Sequence, residues 1–349
     1  MLPSQLPSPR TPDSMAAPPL RWGILGPGWI ADQFVGALRA HTRQLIQAVG
    51  SRRPDAASAA AERYGAVTAH GSYEALVADP TIDVVYVATP HNFHLPHALL
   101  AIEAGKHVLV EKPVGLSADE ARAIDTAARG AGVFAMEAMW TLFLPKFDVV
   151  RQLLADGALG DLHTVLADMG ESFDPSHRIF DPTLAGGPLL DLGTYPSTLA
   201  TWVLGVPEAV SATGTPAADG VNGQVGALLS SPESIAALHF SCLGETPTTA
   251  AISGSAAVVE LDRIWYQPGG FTLRDVSGKG TLRWEEPAIA HAGLHFEAAE
   301  VARRISAGET GSPLRPFADT ITTLETMDRI RQSVGFDFSA AIAARDAHG

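Results

Sequence analysis

The sequence predicts an α/β Rossmann domain at residues 20–138, followed by an α+β domain at 139–349 with a large, mainly antiparallel sheet. Three observations carry that prediction. Up to about residue 138, short apolar runs alternate with Ala-rich helical stretches, the rhythm of βαβ units around a parallel sheet. The first apolar run ends in Gly-x-Gly-x-x-Ala, a strand-to-helix turn of dinucleotide folds. After about residue 160, apolar residues fall at alternate positions, punctuated by Gly, Pro and Asp. At 349 residues the chain has room for two cores.

Taken in order, residues 1–19 hold six prolines and few large apolar groups, and read as a flexible, disordered tail. Strands are expected at 21–25, 45–50, 84–88, 108–111 and 133–137, each followed by a change to helical spacing. The helix at 55–64 ends at Gly65, as a left-handed cap allows. In the second domain, strands are expected at 162–171, 224–230, 234–242, 248–254, 257–261 and 271–276. Helices are expected at 189–204, 296–307 and 317–334. An open sheet of this size usually covers its bare face with a second copy, so a homodimer or homotetramer is expected.

Composition removes several function classes. Lys plus Arg is 24 against Asp plus Glu 38, a net charge of −14, which disfavours a nucleic-acid face. A single cysteine, Cys242, excludes a disulfide framework and a cysteine-cluster zinc site, and in its apolar run it reads as inert core. No run of 18 apolar residues offers a membrane span, and the start lacks the apolar core of a secretory signal. The expectation is a soluble cytoplasmic protein.

The chemistry begins at Gly26-Pro27-Gly28-Trp29-Ile30-Ala31. Gly26 permits the tight turn and Gly28 a close backbone approach to a pyrophosphate, while Ala31 allows close helix packing. Trp29 and Ile30 open the helix whose free amides face phosphate oxygens. The second strand ends in Ser51-Arg52-Arg53, where an NAD site usually carries a carboxylate for the ribose 2′-hydroxyl. Two guanidinium groups instead favour a 2′-phosphate, hence NADP. Thr89, Pro90, His91 and His94 follow the strand at 84–88, and Glu111-Lys112-Pro113 lies at the end of that at 108–111. Ligands of open parallel sheets bind at those strand ends, so these residues are candidate cofactor neighbours. Pro113 holds Lys112 extended, and a cis bond there would fix its aim.

Farther on, Gly186-Gly187 leads to Asp191-Leu192-Gly193-Thr194-Tyr195. On one helix Asp191 and Tyr195 would share a face, although Pro196 would bend that helix or start it later. Alcohol oxidation needs a base for the hydroxyl proton as hydride leaves carbon. A free tyrosine titrates near 10, about 4 kcal/mol too high for neutral pH. An ammonium about 4 Å away supplies a term of that order, so Lys112 can depress it while Asp191 orients the lysine or the substrate.

Together these motifs, with Ala104-Gly105-Lys106-His107-Val108 and the closing Met327-Asp328-Arg329-Ile330-Arg331, resemble the Gfo/Idh/MocA oxidoreductase family over nearly all of the chain after the tail. Met136-Glu137-Ala138-Met139-Trp140 and tyrosine at 195, where most members carry histidine, resemble its dihydrodiol dehydrogenase and NADP-dependent D-xylose dehydrogenase branch. The resemblance implies catalytic roles for Lys112 and Tyr195 with Asp191 nearby, and a sheet-mediated oligomer. His91 departs from the asparagine that many members carry.

The expected activity is therefore NADP-dependent hydride transfer between nicotinamide and a carbinol carbon of an aldopyranose or cyclic vicinal diol. Trp140, His177 and Arg178 are candidate substrate contacts, each with a plainer reading as core or solvated loop. His91, His94 and His97 sit three apart, but Pro90 and Pro96 interrupt a helix and no carboxylate has ligand spacing, so no metal is expected. The alternatives are a reductase of anhydro- or keto-sugars, a cofactor-assisted glycosidase and a non-catalytic dinucleotide sensor; Asp174 and Asp181 suggest a glycosidase carboxylate pair, whose separation sequence does not give.

Overall fold

The computed structural model describes residues 2–217 and 221–347; the remaining residues of both terminal predictions lie outside it. The first half is built from β1 (Arg21–Leu25), α1 (Trp29–His41), β2 (Leu45–Gly50), α2 (Pro54–Tyr64), β3 (Thr68–His70), α3 (Tyr73–Val77), β4 (Val84–Val87), α4 (His94–Glu103), β5 (His107–Glu111), α5 (Ala118–Ala131) and β6 (Ala135–Ala138). Its sheet runs in the order β3-β2-β1-β4-β5-β6, and every pairing is parallel. Strand order reverses between β1 and β4, which opens a crevice at their carboxyl ends. The strands are buried on both faces, so they appear in sequence as unbroken apolar runs such as Val84-Val85-Tyr86-Val87.

After α6 (Pro145–Ala155) come β7 (Leu162–Gly170), α7 (Pro188–Asp191) and α8 (Thr194–Leu204). Next are β8 (Ala209–Pro216), β9 (Asn222–Ser231), β10 (Ser234–Ser241), β11 (Ala250–Gly254), β12 (Ala257–Leu261), β13 (Phe271–Asp275) and β14 (Thr281–Trp284). The chain closes with α9 (His295–Ser306), α10 (Phe317–Val334) and α11 (Ser339–Asp346). The second sheet has the order β14-β13-β12-β11-β7-β10-β9-β8 and is antiparallel except between β7 and β10. Helices α8 and α10 pack against it, while Leu166, Leu228 and Ile235 stay about half exposed.

Two expectations change here. The helix foreseen at 189–204 is two helices, because α7 stops at Asp191 and α8 begins at Thr194. The break falls at Gly193, where a Cβ would come within 2.7 Å of the Leu189 carbonyl and 3.0 Å of the Phe240 ring. Pro196 thus lies in the first turn of α8, where its missing N–H costs no helical bond. Asp191 and Tyr195 are not successive residues on one helix face.

The proline-rich start is also not a free tail in its described part. The Arg10 N–H donates to Asp148 at 2.6 Å, Gln152 to the Ser8 carbonyl at 2.9 Å, and Arg303 to the Asp13 carbonyl at 2.7 Å. Ala17 is fully buried against Ala299 and Ala302. Proline content lowers the entropy of an extended segment, so a few side-chain bonds suffice to hold it.

Candidate active site

At the head of α1, Gly26 has φ +95°, and a Cβ there would stand 2.9 Å from the Thr89 methyl and 3.0 Å from the Ala88 carbonyl. Space around Gly28, the N-cap of α1, is open, and no side chain caps the helix. The amides of the first turn are therefore free for an anion. Trp29 is largely exposed beside them and Ile30 half-buried. A cleft of about 520 Å³ extends from this turn past Ser51, Arg52, Arg53, Tyr73 and Thr89-Pro90. Its open glycine turn and uncapped helix fit a dinucleotide pyrophosphate, and its cationic end fits a further phosphate.

At that end, Ser51 is buried and its hydroxyl accepts from the Arg53 amide at 3.2 Å. The Arg52 guanidinium lies 5.5 Å above the Phe93 ring, a cation–π contact that holds it beside the cleft. Thr89 shares its hydroxyl with His97 Nδ1 at 2.9 Å. His94, fully buried, faces the carbonyls of Thr89 and Pro113, both at 2.7 Å, so it braces two cleft-edge loops and does not face the cleft. His91 turns toward the substrate side, with Nε2 3.5 Å from Asp191 Oδ1. The three histidines are thus committed separately, and no metal-ligating group of three exists among the described residues.

The candidate catalytic groups gather at the end of β5. Lys112 Nζ donates to the Asp191 carbonyl at 2.8 Å and lies 4.9 Å above the Tyr195 ring. The Lys112–Pro113 peptide is cis. Asp191 takes a bidentate pair from Arg178, at 2.8 and 3.1 Å. Burial opposes ionisation of Asp191, but His91, Arg178 and Lys112 outweigh it and hold the carboxyl well below the usual range. Burial lowers both His91 and Lys112, although Asp191 pulls each the other way. Trp140 Nε1 donates to the Tyr195 hydroxyl at 3.0 Å.

One sequence expectation about Tyr195 does not hold in this geometry. Burial, then Tyr266 and Glu111, push its pKa well above 10, and the Trp140 bond offsets only part of that. Lys112 Nζ lies over the ring, 4.9 Å from its centroid.

Sequence reasoning missed several neighbours. Tyr266 lies 4.7 Å from Tyr195 and 6.0 Å from Trp140, centroid to centroid, and donates to Glu171 at 3.1 Å. It sits in a loop after β12 without any local motif to flag it. Tyr86 donates to Glu111, whose other oxygen accepts from the Lys112 amide at 3.1 Å, and burial raises Glu111 to about 7. Phe93, two residues past His91, was legible only as an apolar residue. His177 stacks on Phe173 at 4.7 Å and is exposed.

Comparison with known proteins agrees with this layout. Residues 20–139 match the oxidoreductase family with NAD-binding Rossmann fold, and residues 147–260 the GFO/IDH/MocA C-terminal domain. The trans-1,2-dihydrobenzene-1,2-diol dehydrogenase of Mus musculus is 34% identical over 335 residues, 91% of this chain and 98% of that protein. The human protein of the same name is 32% identical over 332 residues, with the same shares covered. Among solved structures, a 3-ketoreductase from Actinomadura kijaniata with NADP and TDP-benzene is 27% identical at a TM-score of 0.80, covering 91% of this chain and 98% of that one. Levoglucosan dehydrogenase, with NADH and levoglucosan, shares the fold at 20% identity and a TM-score of 0.82, covering 90% and 97%. With both halves matched and relatives this similar over nine tenths of its length, the chain belongs to the Gfo/Idh/MocA family of oxidoreductases.

Proposed function

We propose that this oxidoreductase uses NADP and transfers hydride between the nicotinamide and a carbinol carbon of an aldopyranose or a cyclic vicinal diol. The observation that carries the reading is the meeting of Lys112, Asp191 and Tyr195 at the end of β5, on the same carboxyl edge of the parallel sheet as the glycine turn after β1. The bound dinucleotide supplies the hydride donor or acceptor; the chain supplies everything else. The Tyr195 hydroxyl accepts from Trp140; in reduction it would give its proton to the substrate oxygen and regain one from solvent, and in oxidation its deprotonated form would take the hydroxyl proton as hydride leaves carbon. Lys112, as an ammonium, stabilises negative charge on that oxygen. Asp191, kept ionised by Arg178, accepts from a neighbouring hydroxyl. Trp140, Tyr195 and Tyr266 form an aromatic wall suited to the apolar face of a ring.

Selectivity for NADP rests on Ser51, Arg52 and Arg53 at the cleft end and on the absence of a carboxylate there. The sheet face bearing Leu166, Leu228 and Ile235 supports a homodimer or homotetramer. No described helix is long and apolar enough to cross a membrane; with the acidic charge, this fits a cytoplasmic enzyme without nucleic-acid partners. The raised pKa of Tyr195 favours a second reading, in which the physiological direction is reduction of a keto- or anhydro-sugar and Tyr195 acts as the acid. Replacing Tyr195 by Phe removes the proton donor; the expected loss in kcat is about a hundredfold or more in either direction. A Tyr195→Phe enzyme that keeps its turnover refutes the mechanism.

A further inference from the structure

The single turn at His91–Phe93 touches three separate parts of the molecule. Phe93 lies beneath Arg52 at the cofactor cleft, and His91 approaches Asp191 among the candidate catalytic groups. Between them Asn92 is fully buried, and its Nδ2 donates to the Thr183 carbonyl at 3.1 Å and to the Ala341 carbonyl at 3.3 Å. Thr183 belongs to the segment 172–187, which crosses the substrate side and carries Arg178. Ala341 lies in α11, which packs on that segment and is tied back to the Lys112 loop. Arg345 there pairs with Glu120 at 2.6 Å, and Glu120 accepts from the Leu116 amide at 2.8 Å.

We propose that Asn92 is a positioning residue for the substrate side of the site: its carboxamide pins segment 172–187, so that Arg178 stays on Asp191. The inference rests on the proposed hydride-transfer reading. Three features of the geometry carry it. Asn92 Oδ1 is buried without a protein partner, so the side chain bears a desolvation cost and returns only its two N–H bonds. An apolar residue would avoid that cost if packing alone were needed. The segment is held at its ends and by α11, through the Ser172–Leu243 bridge, buried Ile179 and Ala185, and the Gly187 amide bonded to the Ile179 carbonyl at 2.7 Å; its middle is two short turns capped by Asp181, which the Asn92–Thr183 bond ties to the turn after β4. And Arg178 reaches Asp191 from this segment alone, through a bidentate fork that tolerates little displacement.

Without the two Asn92 bonds the segment loosens, Arg178 leaves Asp191 part of the time, and substrate meets a site that must first be assembled. Its apparent affinity falls by the fraction of assembled protein. Both Asn92 bonds go to the substrate side and to α11 and neither to the cofactor cleft, so NADPH affinity is expected to change little.

The test compares full-length wild type, Asn92→Ala and Asn92→Ser, the last keeping one donor. Hydrogen exchange of the amides in 178–187 is read on the protein without substrate. Steady-state rates are read with D-xylose and with trans-1,2-dihydrobenzene-1,2-diol, and NADPH affinity by fluorescence. Asn92→Ala is expected to exchange these amides about tenfold faster and to raise KM about tenfold, with kcat and NADPH affinity within about twofold. Asn92→Ser falls between, and carries the test should the alanine variant not fold. Unchanged exchange overturns the proposal, as does faster exchange with KM unmoved, or a loss confined to kcat. Should wild type be silent on both compounds, the hydride-transfer reading is decided on the wider panel of sugars and diols, and the exchange result alone decides whether Asn92 holds the segment.

Discussion

Replacing Arg52 and Arg53 together by alanine separates cofactor choice from cofactor binding. Both side chains line the outer end of the cleft, and Phe93 already holds one of them in place, so little ordering is left for the moment of binding. A charge-assisted hydrogen bond to phosphate contributes about 1.5–3 kcal/mol, and the exposure of both guanidinium groups selects the lower figure. Two such bonds give about 3 kcal/mol, roughly a hundredfold in Kd. The assay is a fluorescence titration with NADPH and NADH at fixed ionic strength, because the contribution is screened by salt. NADPH should weaken by about a hundredfold and NADH by no more than about threefold, which reverses or erases the preference. NADPH affinity unchanged, or both cofactors weakened equally, would refute the assignment of these arginines to the 2′-phosphate.

Three further outcomes follow from the same geometry. Gly28→Ala meets no atom within 4 Å, so its unfolding temperature should stay near that of wild type while NADPH and NADH both weaken, measured by the same titration. Arg315→Ala leaves Glu137 buried after loss of contacts at 2.6 and 3.0 Å; denaturant unfolding should show a loss of about 3–5 kcal/mol, much of it restored by adding Glu137→Gln. Glu111, raised to about 7 from an ordinary 4.5, binds its proton more tightly folded than unfolded. Its contribution is therefore present below pH 4.5 and lost as pH rises through 7. Across that window Glu111→Gln should gain on wild type by up to about 3 kcal/mol in unfolding free energy, and a gap independent of pH would contradict the shift.

What the sequence disclosed, and what it hid, follows from how far each signal reaches. β1, β2, β12 and α10 were legible to the residue, because each carries its own apolar pattern and its own stop. The short β3 is too brief for any periodicity to register. β8, at the sheet edge, holds a single Val among Ala, Ser, Thr and Gly with a terminal Pro, a composition that reads as loop. β14 is four residues long and α11 lies past the last strongly patterned helix. Pro196 signalled that the helix bends or starts later, but the position of the break at Gly193, against the Leu189 carbonyl and the Phe240 ring, has no local signature.

At the site, glycine turn and arginine pair were visible because their chemistry is local. Lys112, Asp191 and Tyr195 could be nominated, but not the geometry that puts the ammonium over the phenol ring and the lysine's bond on a carbonyl. The environment of Tyr195 was out of reach for the same reason: Tyr266 and Glu111 reach it only through the tertiary fold. The docking of the proline-rich start onto Asp148, Gln152 and Arg303 likewise has no signature within the segment itself.

The most direct test of the account is the initial rate of NADPH formation from NADP⁺ across pentoses, hexoses and cyclic trans-diols, with NAD⁺ run in parallel. Each compound's keto form is run in reverse with NADPH. Turnover of at least one sugar or diol, preferring NADP and abolished in Tyr195→Phe and Lys112→Ala, is the predicted result. Silence in both directions across the whole panel, from a folded protein that binds NADPH, would contradict it.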